Sequence, residues 1–181
     1  MSMELQGSCH CGKVTFSVTS TGPVPFMWCY CSICRKCQGG GGYTINILGD
    51  MDTLKVEGME HVKIYRAILD KSLPKEKQEL WWLHPNTPSS RSPSGNRRHF
   101  CGECGSHLWA WNPAWGHWCY PYASAIDTPL PEPKAEDVMH IMQNYKPNWV
   151  LAPPVDGKTV FEEYPNTGLE EWHKKHKEYM H

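Results

Sequence analysis

The stretch Trp28-Cys-Tyr-Cys-Ser-Ile-Cys-Arg-Lys-Cys37, followed by four glycines from Gly39 to Gly42, carries the densest chemistry in the chain. Cys29, Cys31 and Cys34 place three thiols within six residues. Cysteines this close rarely pair with one another as disulfides, whereas a metal ion accepts them readily. Three protein thiolates leave a tetrahedral ion one position for water or substrate, the arrangement of catalytic rather than structural zinc. An alternative stays open: Cys37 follows Cys34 by another C-x-x-C step. As a fourth ligand it would close the site, making it structural or suited to an iron–sulfur cluster.

Outward from this stretch, a second set of cysteines has a different character. Cys101-Gly-Glu-Cys104-Gly105 reads as a knuckle, two thiolates on a tight turn that its glycines permit. A knuckle supplies two ligands, and Cys9-His-Cys11-Gly12 offers a second pair. Four thiolates would form a closed tetrahedron clipping the N-terminus to a segment about ninety residues later, a metal needed for folding. His10 or His99 replacing one cysteine is the alternative, since histidine is a normal zinc ligand. That leaves Cys119, which reads as a small buried hydrophobe.

The totals agree with an intracellular metal protein. The chain has 181 residues, which fits one domain, and its nine cysteines are an odd number, unlike a secreted disulfide framework. Eighteen basic residues against nineteen acidic ones give no electrostatic footprint for nucleic acid. No apolar run reaches the length of a membrane span, and the N-terminal residues lack an apolar signal region, so a cytoplasmic location is expected.

The remaining pattern is mostly β. Val14, Phe16 and Val18 alternate as in a half-buried strand, and Tyr43 to Leu48, Leu54 to Val56, Val62 to Tyr65, Arg98 to Phe100, Leu108 to Trp111 and Trp118 to Ser124 read as further strands. Residues 70 to 97 are charged or rich in Pro, Ser and Asn, but contain Leu80-Trp-Trp-Leu83. An uncommitted loop seldom carries so much apolar surface, and this one is expected to form a lid or wall over the second cysteine set. In the tail, Thr167 and Glu170 form a capping box, and Leu169, Trp172 and His176 share one face of a helix expected to dock on the sheet.

Three motifs together resemble the glutathione-dependent formaldehyde-activating enzyme family, also named for centromere protein V. They are Gly7-Ser-Cys-His-Cys-Gly12, Cys29-x-Cys31-Ser-x-Cys34-Arg-Lys-x-x-Gly39 and Phe100-Cys-Gly-x-Cys-Gly-Ser106, in that order. Tyr65-Arg66, His140-Ile141 and Asn148-Trp149-Val150 also fall where the family has similar residues. The resemblance implies a mainly β, Mss4-like fold of small twisted antiparallel sheets around zinc over residues 5–152, with an insertion at about 70–96. Residues 153–181 follow as a C-terminal extension with a helix. It also implies two Zn2+ per chain. Cys9, Cys11, Cys101 and Cys104 match the structural ligands, and Cys29, Cys31 and Cys34 the catalytic ones. The family's named activity joins glutathione and formaldehyde through a carbon–sulfur bond. The insertion and Cys37, which replaces a small non-ligating residue of many members, are departures.

The expected function is a zinc-dependent carbon–sulfur lyase or synthase acting on a small-molecule, glutathione-like thiol adduct of an aldehyde or other small electrophile. Three thiolates around one zinc leave a net negative core, for which Arg35, beside Cys34, is the candidate counter-charge and Lys36 a weaker one. His10, His99 and His107 are candidates for proton transfer. Trp28, Trp109, Trp111, Trp115 and Trp118 are core residues or walls of an apolar pocket. Two other functions remain: a lyase or isomerase tailoring a larger aromatic metabolite, and a non-enzymatic zinc-binding interaction module.

Overall fold

The computed structural model describes residues 2–38, 40–70, 73, 78, 91–151 and 159–176. It is mainly β, as the alternating pattern predicts. Strands β1 (Met3–Ser8) and β2 (Thr15–Ser20) pair antiparallel along their whole length, and β6 (Lys55–Glu57) adds to the far edge of β2. Leu5 faces Val18 across this pair, and both are buried. The sequence reading finds β2 but not β1, whose Glu4 and Gln6 alternate with two large apolar residues, Met3 and Leu5, and then the small Gly7.

The second sheet has five antiparallel strands, β7 (Val62–Tyr65), β10 (Arg97–Cys101), β11 (His107–Trp111), β12 (Trp118–Pro121) and β5 (Gly49–Asp50), in that spatial order. Between β10 and β11 lies the Cys101–Cys104 knuckle. Trp109 is 1 % exposed and packs its ring 5.6 Å from that of Phe16, joining the two sheets into one core. Cys119, on β12, is fully buried as expected, and burial pushes its thiol up to about 12.

A third sheet holds the second cysteine set. In it β3 (Phe26–Cys29) lies between β4 (Thr44–Asn46) and β13 (Val138–Ile141), antiparallel to the first and parallel to the second. The chain then turns into α1 (Ser32–Gln38), which the sequence reading does not predict. Its Ser-Ile-Cys-Arg-Lys-Cys-Gln sequence lacks a helical apolar stripe because its buried positions are Ser32 and Cys34. A segment beyond β13 extends this sheet: His140 N–H donates to the Thr159 carbonyl at 2.7 Å, and Phe161 N–H to the His140 carbonyl at 2.8 Å.

The terminal helix α2 (Leu169–His176) forms where the capping pattern places it. Of the expected face, Trp172 is buried and Leu169 half-buried, while His176 is exposed and stacks on Trp172 at 3.9 Å between ring centroids; His173 is buried as well. Most of the insertion, including Leu80-Trp-Trp-Leu83 and its expected lid role, lies outside the described residues. Its flanks β8 (Ile68–Asp70) and β9 (Arg91–Pro93) pair antiparallel. Among the described residues, no helix is long and apolar enough to cross a membrane.

Candidate functional site

Folding brings the cysteines into two separate sets. The sulfurs of Cys9, Cys11, Cys101 and Cys104 lie within 4.8 Å of one another, and so do those of Cys29, Cys31 and Cys34. A tetrahedron with metal–sulfur bonds of about 2.3 Å has sulfur–sulfur edges of about 3.8 Å. In the first set Cys9 and Cys11 are 3.5 Å apart, and Cys11 and Cys101 3.8 Å. Both sets therefore have the dimensions of metal sites, and their thiol chemistry is compatible with zinc.

The first set is two knuckles facing each other. Each turn ends on a glycine in the left-handed region, Gly12 at φ 73° and Gly105 at φ 78°, where other residues would be strained. Gly12 N–H donates to the Cys9 carbonyl at 3.0 Å, and Gly105 N–H to the Cys101 carbonyl at 2.9 Å. The knuckles are tied together by His10 N–H donating to Ser106 Oγ at 3.1 Å and by the Lys13–Glu103 ion pair at 3.3 Å. Ser106, through its hydroxyl and backbone, holds the Cys104 thiol down to about 5. Cys9 and Cys101 are buried.

The second set is more deeply buried and more polarised. Cys29 ends β3, Cys31 precedes α1, and Cys34 lies within it, each no more than 7 % exposed. Cys34 N–H donates to Cys31 Sγ at 3.3 Å, as the start of the helix points its free amides at that sulfur. Hydrogen bonds from Cys29 and Cys31, then the charge of Arg98, hold Cys34 well below the ordinary thiol range. Cys31 is pushed well above it by its hydrogen bonds with Cys29 and Cys34 and by burial. Cys29 is also raised: hydrogen bonding from Cys31 favours its thiolate, but Cys34 and burial outweigh that. One negative charge thus gathers on Cys34, and a dication entering the set would displace the remaining thiol protons.

A counter-charge comes from Arg98, which the sequence reading does not single out. Arg98, on β10, is 5 % exposed and puts Nη2 3.8 Å from Cys34 Sγ. Burial works against its charge, but Cys34, then Tyr122 and Cys31, more than offset this and hold the guanidinium charged. Its Nε and Nη1 are shut off from solvent and have no hydrogen-bond partner among the described residues. Arg35 does not line the cavity at this set. Arg35, one residue beyond Cys34 on α1, is half-buried, with its Nε shut off from solvent. A strand 64 residues away thus brings a buried cation to the second set. The available signal was Arg98 itself, an arginine inside a pattern read as a strand.

Cys37 stands apart from the three-sulfur group. Half-buried at the end of α1, it lines a smaller pocket with Cys9, His10, Ser106 and His107. None of the three histidines proposed for proton transfer lines the larger cavity. His10 is exposed, and His99 is buried against Trp109, where burial first of all pushes it down to about 4. His107 stacks on Phe100 at 5.3 Å. The histidine at the cavity is His176 of α2.

That larger cavity opens over Cys29, Cys31 and Cys34 and encloses about 850 Å3. Met27, Met139, Ile141, Phe161, Leu169 and Trp172 give it an apolar wall, and Trp115, Tyr120 and Tyr122 line it as well. Of the tryptophans considered as pocket walls from sequence, Trp115 lines it; Trp28 instead stacks on Tyr43 at 4.4 Å and Trp109 is core.

Comparison with known proteins places these features in a family. The model of the glutathione-dependent formaldehyde-activating enzyme family matches residues 4–143. A Halomonas elongata protein provisionally named as a glutathione-dependent formaldehyde-activating enzyme is 44 % identical over 173 residues, 96 % of either chain. A crystal structure of a Rhodobacter sphaeroides protein superimposes with a TM-score of 0.47 and 19 % identity, over 71 % of this chain and 92 % of that one.

Proposed function

The chain belongs to the glutathione-dependent formaldehyde-activating enzyme family, and from that premise we propose that it is a zinc-dependent carbon–sulfur lyase or synthase. It acts on adducts between a glutathione-like thiol and an aldehyde or other small electrophile. Cys9, Cys11, Cys101 and Cys104 hold a structural zinc, and Cys29, Cys31 and Cys34 a catalytic one. The observation that carries this reading is the contrast between the sets: four sulfurs on two facing knuckles, against three sulfurs on the wall of a large cavity.

A zinc ion in the second set would supply a Lewis-acidic position that favours the anionic form of a substrate sulfur. The protein's own residues do the rest. Arg98 balances the negative charge of the three thiolates from within the core, where Coulomb interactions are stronger than in water. The apolar walls keep bulk water from the adduct, which would otherwise form and decay there without control. Tyr122 is buried, and burial pushes its hydroxyl far up, so at neutral pH it stays protonated and can donate a hydrogen bond at the cavity wall. The overall reaction balances by itself: a thiol adds its sulfur to the carbonyl carbon and its proton ends on the carbonyl oxygen.

The test combines elemental analysis with exchange kinetics. The account expects two zinc ions per chain and an interconversion of glutathione–aldehyde adduct and free components faster than in buffer, measured by exchange NMR. Exchange no faster than buffer, for every aldehyde tried, contradicts the enzyme reading. One metal ion per chain contradicts the second site.

A further inference from the structure

Formaldehyde would contribute one carbon and one oxygen to an adduct, yet the cavity over Cys29, Cys31 and Cys34 encloses about 850 Å3. Sites for molecules of drug size span roughly 300–1,000 Å3. The deep part of the wall is apolar: Met27, Met139, Ile141 and Trp172 are each at most 9 % exposed, with Phe161 and Leu169 packed on the same core. The cation lining it at depth is Arg98, which is committed to Cys34 through Nη2 and has its other nitrogens shut off from solvent. The other charged lining residues, Glu136, Lys175 and His176, are exposed and so belong to the rim. Against the apolar part of the wall a carboxylate would lose its water, whereas an aromatic ring would lose only unfavourable hydration.

Part of this wall lies outside the segment that matches the family model, residues 4–143. Thr159, Phe161, Leu169 and Trp172 are all beyond it and all line the cavity. They are built in rather than draped across. Residues 159–163 bond to the β13 edge, where Phe161 N–H meets the His140 carbonyl and Met142 N–H the Glu163 carbonyl at 2.8 Å each. Trp172 is fixed by its burial and by its stacking on His176.

We infer that the cavity is a binding site for a bulky apolar group of aromatic size on the electrophile's side of the adduct, selected by Phe161 and Trp172. The inference rests on the proposed carbon–sulfur chemistry for the term electrophile, and it names the substrate class as the hemithioacetal of an aromatic aldehyde. In cleavage the carbon–sulfur bond breaks with its electron pair going to sulfur. The hydroxyl oxygen becomes the carbonyl, and the hydroxyl proton ends on the thiol. No oxidant or reductant is needed. The polar thiol chain then extends to the rim, where Glu136 and Lys175 carry charges that suit it.

The test is calorimetric titration of the zinc-loaded full-length protein with 3-phenylpropan-1-ol, an unreactive aromatic alcohol, with methanol as the formaldehyde-sized control. The expected result is saturable binding of the aromatic alcohol and none of methanol, weakened about tenfold or more in Trp172→Ala and in the milder Phe161→Val. The preference in kcat/KM for the glutathione adduct of benzaldehyde over that of formaldehyde should fall by a similar factor in both variants. No saturable binding to the wild type, or binding unchanged in both variants, overturns the inference. Variant-sensitive binding without turnover of any thiol adduct supports the aromatic site and overturns the proposed reaction instead.

Discussion

Nη2 of Arg98 stands 3.8 Å from the sulfur of Cys34, and both side chains are buried. The relationship connects the two cysteine sets through one strand. Arg98 and Cys101 are three residues apart on β10, so that the strand supplies a cation to the second set and a sulfur to the first. The knuckle that clips the N-terminus to this strand therefore also fixes where the cation of the second set stands.

Arg98→Met should leave a protein that keeps its first metal ion and holds the second weakly. Partners just outside a ligand shell are worth about 10–100-fold in metal affinity. Chelator competition followed by metal analysis reads the loss site by site, and a Cys29→Ser variant, which lacks the second ion, identifies the first site's share. Arg98→Lys should recover part of the affinity, because the charge returns without the planar fork. Equal retention in wild type and Arg98→Met would show that the guanidinium does not serve the second set.

The two sets should fail differently when broken. Cys101→Ser removes a buried sulfur from a clip between segments 90 residues apart, and should abolish cooperative thermal unfolding. Cys29→Ser should melt cooperatively, having lost one ion and the adduct exchange activity. Complete unfolding of both variants would make the second set structural as well.

His173, on α2, is 1 % exposed, and burial, followed by the nearby charge of His176, keeps it below its ordinary value of 6.5. The folded form thus binds a proton less readily than the unfolded chain, so its neutral state stabilises the docked helix above pH 6.5 and that contribution fades as pH falls below it. The Trp172 fluorescence should report undocking of α2 in mildly acidic buffer before global unfolding. His173→Phe should flatten this pH dependence. An unchanged profile in that variant would assign the effect elsewhere.

How much of this was legible in the sequence depended on whether the signal was local. The knuckles, β7, β10, β11 and the docked face of α2 show as spacing or alternation within a few residues. The missed elements carry a weak pattern or none: β1 has only Met3 and Leu5 as large inward residues, β3 is fully apolar and short, and the buried positions of α1 are a serine and a cysteine. Both cysteine sets were readable because their members come in tight pairs or triplets. Arg98 was not, because burial and proximity across 64 residues follow from strand order alone. The cavity was invisible for the same reason, since its walls come from β3, β13, the segment after it, and α2.

The central claim is that Cys29, Cys31 and Cys34 hold a zinc ion with an open position, while Cys37 stays out. Cobalt substituted into the protein reads this directly, because its visible spectrum depends on the number and kind of its ligands. The account predicts that glutathione shifts the spectrum of the second site, and that Cys37→Ala retains both the metal and the shift. A native spectrum that ignores thiol, together with a thiol response that emerges only in Cys37→Ala, would show a closed four-sulfur site and contradict the account.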